Sequence, residues 1–246
     1  MKRNILFGSM ALLAGSLIVA NASPQDDVAA AAKALGDKDN YSWTATVTAP
    51  EGGGGFRGGN GPTQGKAQKD GLTWVSMTGF NDTTTEGVIK GDKIAVKTEE
   101  GWQSADEAGG GDGGFNPGMF MARRMQAIKA PAVEAAELAA AAKEIKKEDD
   151  VYSGDLTEDG AKARLSFGRG RRGGGGDGGG PAISGAKGSV KFWVKDGVLT
   201  KYEYKVQGKI DFNGNEIDMD RTTTVEIKDV GTTKIDVPED AKKKLS

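Results

Sequence analysis

The sequence predicts an α+β fold in which antiparallel strands pack against a few short helices. Two blocks of alternating apolar and polar residues are punctuated by turn pairs, a methionine- and alanine-rich helical stretch separates them, and after residue 22 no apolar run is long enough to span a bilayer.

Taken in order, Asp26-Asp27 precedes Val28–Gly36, where acids in front, alanines within and a glycine behind specify a short helix. Tyr41–Thr48 then alternates at a period of two, with Tyr41, Trp43, Ala45 and Val47 on one face. The same pattern recurs in Leu72–Met77, Gly87–Lys90 and Lys93–Thr98, with Gly91-Asp92 as a turn and Trp102 soon after. Asn116-Pro117 starts a helix containing Met119, Phe120, Met121, Met125 and Ile128, which Pro131 ends. Val133–Lys147 is expected as a second, alanine-rich helix and Val151–Gly154 as a strand, while Gly160–Phe167 fits a helix or a strand equally. The second block is the stronger: Ser189–Lys195, the turn Asp196-Gly197, Val198–Ile210, the turn Asn213-Gly214 and Glu216–Lys228. Ile235–Pro238 reads as a closing edge segment.

At the front, Lys2 and Arg3, the apolar stretch Ile5–Ala20 and the small residues Ala20-Asn21-Ala22 have the layout of a secretory signal peptide over residues 1–22. Residues 23–246 are then expected as one exported domain, periplasmic or secreted, with glycine-rich loops at 52–61, 109–114 and 168–180. The absence of cysteine excludes disulfides, thiolate metal sites and a lipidated cysteine, so the mature chain is expected to be soluble, with no transmembrane segment after cleavage. The net charge of −2 becomes more negative once Lys2 and Arg3 are removed, which gives no global attraction to nucleic acid or an anionic membrane.

Chemistry is narrowed by what is missing. Without histidine there is no serine–histidine triad and no histidine-ligated metal. Glu99-Glu100 and Asp149-Asp150 are adjacent acidic pairs that read as solvated surface rather than as an acid–base couple. The glycines of Gly53–Gly58 match a dinucleotide pattern without the strand and helix that it needs, and Gly168–Gly173 resembles an RNA-binding arginine–glycine tract in a chain expected to be exported. Asp211, Asn213 and Asn215 start like a calcium loop, but Glu216 and Thr222 stand where glycine and glutamate are required. No cofactor is expected. The broad apolar sheet face and the flexible methionines Met119, Met121 and Met125 suit a variable apolar guest, and more readily an ordinary sheet-on-helix core.

Phe192-Trp193-Val194-Lys195-Asp196-Gly197-Val198-Leu199 and the ending Ile235-Asp236-Val237-Pro238-Glu239-Asp240-Ala241, with the order of elements, resemble the lipoprotein-carrier-like superfamily of exported bacterial proteins, the LolA-like and mycobacterial lipid-carrier lipoproteins. The resemblance implies an incomplete, curved antiparallel β-barrel, a half-barrel, covered by helices, with a cavity for an acyl chain, a lipid or a lipidated protein. It implies that Trp43, Val47, Trp74, Phe120, Met125, Phe192, Val194, Tyr202 and Tyr204 line that cavity. It implies carriage rather than catalysis. The alternative is a protein-binding or envelope-sensor module on the same scaffold with a filled core and an envelope protein as partner.

Overall fold

The computed structural model describes residues 22–50, 61–78, 83–108, 117–166, 182–212 and 214–246. The expected signal segment apart from Ala22, the glycine tracts apart from Gly61, and Asn116 and Asn213 lie outside them.

Helix α1 (Pro24–Gly36) begins ahead of its acidic pair because Ser23 caps it: the Ser23 hydroxyl accepts from the Asp26 N–H, the Asp26 carboxylate accepts from the Ser23 N–H, and Pro24 occupies the first turn. Six strands follow as a meander: β1 (Asn40–Thr48), β2 (Thr63–Gln68), β3 (Leu72–Thr78), β4 (Thr84–Lys90), β5 (Lys93–Thr98) and β6 (Gly101–Ser104). Helices α2 (Pro117–Gln126) and α3 (Pro131–Ala140) come next, then β7 (Ala142–Glu148), β8 (Val151–Leu156) and α4 (Glu158–Leu165). The long strands β9 (Ala182–Lys195), β10 (Val198–Phe212) and β11 (Asn215–Lys228) precede the short helix α5 (Glu239–Lys244).

All eleven strands form one antiparallel sheet in the order β6-β5-β4-β3-β2-β1-β11-β10-β9-β8-β7. The sheet does not close, and the fold is an α+β incomplete barrel carrying helices. Its free edges are guarded: β6 is only four residues long, and β7 carries Lys143, Lys146 and Lys147.

Two expectations are corrected and one left open is decided. The helix expected through Lys147 ends at Ala140, because the next seven residues pair with β8 across a two-residue turn in which Asp149 adopts φ 53°. Only Ala142 and Ile145 of that run are buried, so its value lies in capping the sheet edge, and tertiary pairing overrides helix propensity. Gly160–Phe167 resolves as helix α4, whose first turn is capped by the Thr157 hydroxyl accepting from the Gly160 N–H at 3.1 Å. Ile235–Pro238 forms no strand; the neighbouring Lys234 carbonyl accepts from the Lys66 ammonium, so the segment lies against the outer face.

Helices α1, α2, α3 and α4 cover the inner face, where Val28, Leu35, Leu138, Leu165, Phe192, Leu199, Tyr202 and Ile210 are all 2% exposed or less. Each such side chain contributes about 1.5–3 kcal/mol of burial. Val88, Ala95 and Ala241 are fully buried outside that core, where α5 packs on the outer face of β5 and β6. No described helix is long and apolar enough to cross a membrane.

Candidate functional site

Strand register sets out the inner face as rows running across the sheet. One row reads Tyr152, Phe192, Tyr202, Val225, Ala45 and Thr63, one residue from each of β8, β9, β10, β11, β1 and β2. Side-chain size falls from aromatic to methyl along it. Where the row becomes small, the inner face drops away beneath the α2–α3 connection and leaves a half-enclosed cleft of about 220 Å³. Trp43, Ala45, Thr63, Met77, Thr223 and Val225 form its floor, Tyr202 and Tyr204 one wall, and Arg124, Ala127, Ile128, Lys129 and Glu134 its roof.

The next row reads Ile227, Trp43, Gly65, Val75, Gly87 and Val96. Its two glycines are sites of close approach. The Trp43 indole occupies the space that a Cβ on Gly65 would need, and the Met125 sulfur lies 2.7 Å from where a Cβ on Gly87 would stand. Trp43 and Met125, both buried, are therefore seated in glycine notches.

The Glu134 carboxylate at the cleft is tightly engaged. The Tyr202 hydroxyl donates to the Glu134 carboxylate at 2.6 Å, the Tyr204 hydroxyl donates to it at 3.4 Å, and the Arg164 guanidinium pairs with it at 3.0 Å. Arg164 also bonds Glu137 at 2.9 Å, and Lys129 pairs with the same Glu137. Burial pushes the Tyr202 hydroxyl well above its usual range, with the Glu134 charge adding to it, and pushes Tyr204 up to about 12. For Glu137 burial works the other way, but the Lys129 ammonium and the Arg164 guanidinium outweigh it and hold the carboxyl below its ordinary range. Burial lowers the pKa of Arg221, whose guanidinium donates to the Arg164 carbonyl, and also that of Arg124.

Of the nine residues expected to line a cavity, Trp43, Tyr202 and Tyr204 line this cleft. Met125, Phe192 and Val194 pack into the core, the first two at 0% exposure. Val47 shares the inner face but lies past the rim at 59% exposure, and Phe120 is 40% exposed on α2. Trp74 is a correction. Thr73, Val75 and Met77 of β3 are the buried set, so Trp74 stands on the outer face, with the Lys66 ammonium 5.2 Å from its ring centroid. The resemblance implied the inner face, whereas the neighbouring Gly65–Val75 pairing beneath Trp43 fixes the other register.

Sequence reasoning missed Glu134 and Arg124. Glu134 had a signal, being an acid inside the apolar segment Pro131–Ala136. Arg124 had none beyond its place beside Met125. A broader depression of about 380 Å³ lies over the β7 edge, lined by polar groups such as Lys146, Ser153, Asp155 and Lys191 that face away from the helices. Among the described residues no cluster of three or more histidine, cysteine or acidic side chains could hold a metal ion.

No protein-family model matches the chain, and no curated protein matches its sequence. Among solved structures, it is similar to LprF from Mycobacterium bovis at 12% identity and a TM-score of 0.45, over 89% of this chain and 97% of that one. It is similar to the Mycobacterium tuberculosis lipoprotein LppX at 10% identity and a TM-score of 0.45, over 86% of this chain and 97% of that one.

Proposed function

We propose that this protein, after export, binds an apolar chain in the cleft between sheet and helices: the acyl chain of a lipid or of a lipidated protein, held without chemical change. The observation that carries the reading is the taper from Tyr202 through Val225 to Ala45 and Thr63, which leaves apolar floor uncovered in a core that is otherwise closely packed. Shielding an acyl chain there gains roughly 0.8 kcal/mol per methylene removed from water.

The cleft lies below the ~300 Å³ at which small-molecule sites usually begin, so it takes one chain, and a long one only if its roof moves. Helix α2 suits that movement. It meets the sheet at β4 and β5 through Ala122 and Met125, whereas α1 is packed against α3, β7, β9 and β10. Nothing at the cleft suits acid–base catalysis. Among the described residues a single carboxylate, Glu134, lines it, and its oxygens already accept from two tyrosines and an arginine.

Protein purified from the exporting cell's envelope or medium should release lipid on extraction and show a ligand-bound mass in native mass spectrometry. A fluorescent fatty-acid probe should bind saturably at one site. An empty mass and no saturable binding would refute the reading. The small cleft and filled core favour a second reading, an envelope protein partner docking on the same scaffold. A crosslinked envelope protein recovered with lipid-free material would support that reading instead.

A further inference from the structure

The cleft roof holds an uncompensated positive charge. Arg124 is half-buried, and among the described residues no hydrogen bond or ion pair engages its guanidinium; burial alone acts on it. Its neighbours do not neutralise it, because the Glu134 carboxylate is held by Tyr202, Tyr204 and Arg164, and Glu137 by Arg164 and Lys129. The charged residues lining the cleft are thus two cations, Arg124 and Lys129, and one carboxylate, Glu134, which is already engaged. A half-buried guanidinium without a counter-charge costs free energy that an incoming anion recovers, and arginine's planar fork suits a carboxylate.

We propose that the cleft selects a single-chain amphiphile with an anionic head, a long-chain carboxylate, whose head pairs with Arg124 while its tail lies on Trp43, Ala45 and Val225. This deepens the acyl-binding reading and rests on it. The cleft has room for no more than one chain, a long one entering as the roof moves, and the charge says which end of that chain is recognised.

The test uses the delipidated mature protein, titrated by displacement of a fluorescent fatty-acid probe with palmitate, with hexadecanol as its neutral counterpart, and with inorganic phosphate. Palmitate should bind about ten-fold or more tightly than hexadecanol, as one charge-assisted bond predicts. Arg124→Gln should abolish that preference, bringing palmitate and hexadecanol to the same affinity, and Arg124→Lys should retain part of it. Equal affinity for palmitate and hexadecanol in the unmodified protein, or a preference that survives in Arg124→Gln, overturns the headgroup assignment and leaves acyl binding standing. Phosphate that competes as well as palmitate overturns the amphiphile in favour of a plain anion site. Failure of palmitate and hexadecanol alike overturns both readings. Circular dichroism of each variant separates loss of the site from loss of the fold.

Discussion

The Trp43 indole lies over Gly65, filling the space that any larger residue would need. Gly65→Ala should therefore cost about 1–3 kcal/mol, the usual penalty for forcing an extra carbon into a packed core. Trimming Trp43 to Leu in the Gly65→Ala background should recover part of that loss. Urea denaturation of the two single variants and the double variant measures the coupling, and strict additivity would show that the contact does not constrain the fold.

Ala45 sits half-buried on the cleft floor at the small end of the tapering row. Ala45→Phe should fill the cleft and weaken fatty-acid probe binding at least about ten-fold, since a displaced apolar contact of this size is worth more than 1.4 kcal/mol. The melting temperature should hold or rise, which separates a blocked site from a broken one.

Met125 pins α2 by resting its sulfur over Gly87, with no exposure to solvent. Met125→Ala should cost about 2–5 kcal/mol, as buried methionine truncations do. It should also speed probe uptake in stopped flow, because the roof of the cleft is less firmly held. An unchanged association rate would show that α2 does not control entry.

The cluster around Glu134 should behave as a unit. Tyr202→Phe removes one donor from a carboxylate that keeps the other two, at a cost of about 1–3 kcal/mol. Glu134→Leu strips Arg164 of its better-buried partner and should cost more, about 3–5 kcal/mol. Chemical denaturation orders the two.

Tyr41 and Tyr204 are raised to about 12 and Tyr202 is raised well above its usual range, burial being the main cause in each. A folded-state pKa above the unfolded value near 10 means that these hydroxyls contribute their full stability below pH 10 and lose it as pH rises through the folded values. Stability should accordingly fall from about pH 10 towards pH 12 and beyond, with tyrosinate absorbance appearing together with unfolding. At the acid end, the Lys244 and Ser104 bonds hold Glu107 at about 2, so its contribution, present above about 4.5, is lost as pH falls towards 2. Hydrogen exchange at α5, which carries Lys244, should quicken over that window before it does elsewhere.

The long hairpins were legible because their signals were local. Asp196 and Gly197 take positive φ of 51° and 72°, as a two-residue turn demands, and the alternation of Tyr202, Tyr204 and Val206 names their buried face directly. Trp74 was misread because periodicity gives two faces and only pairing with Gly65 decides between them. Ala142–Lys147 was misread because its composition suits a helix, and its strand exists only through β8. The cleft was half legible. Trp43, Tyr202 and Tyr204 were among the expected lining, but Arg124 and Glu134 acquire their meaning only when α2 and α3 are set above the small end of the row.

Ser42 pairs with Lys228 across 186 residues of chain, so the strands at the centre of the sheet come from opposite ends of the molecule. Each half can assemble by neighbour-to-neighbour hairpins, β1 to β6 in one arc and β7 to β11 in the other. The seam between the arcs must wait for β11, the last strand to be made. Until then a chain emerging amino-end first carries β1 with one unpaired side bearing Trp43 and Val47, so assembly should pause at this join, and the β1 edge is where a chaperone would be needed.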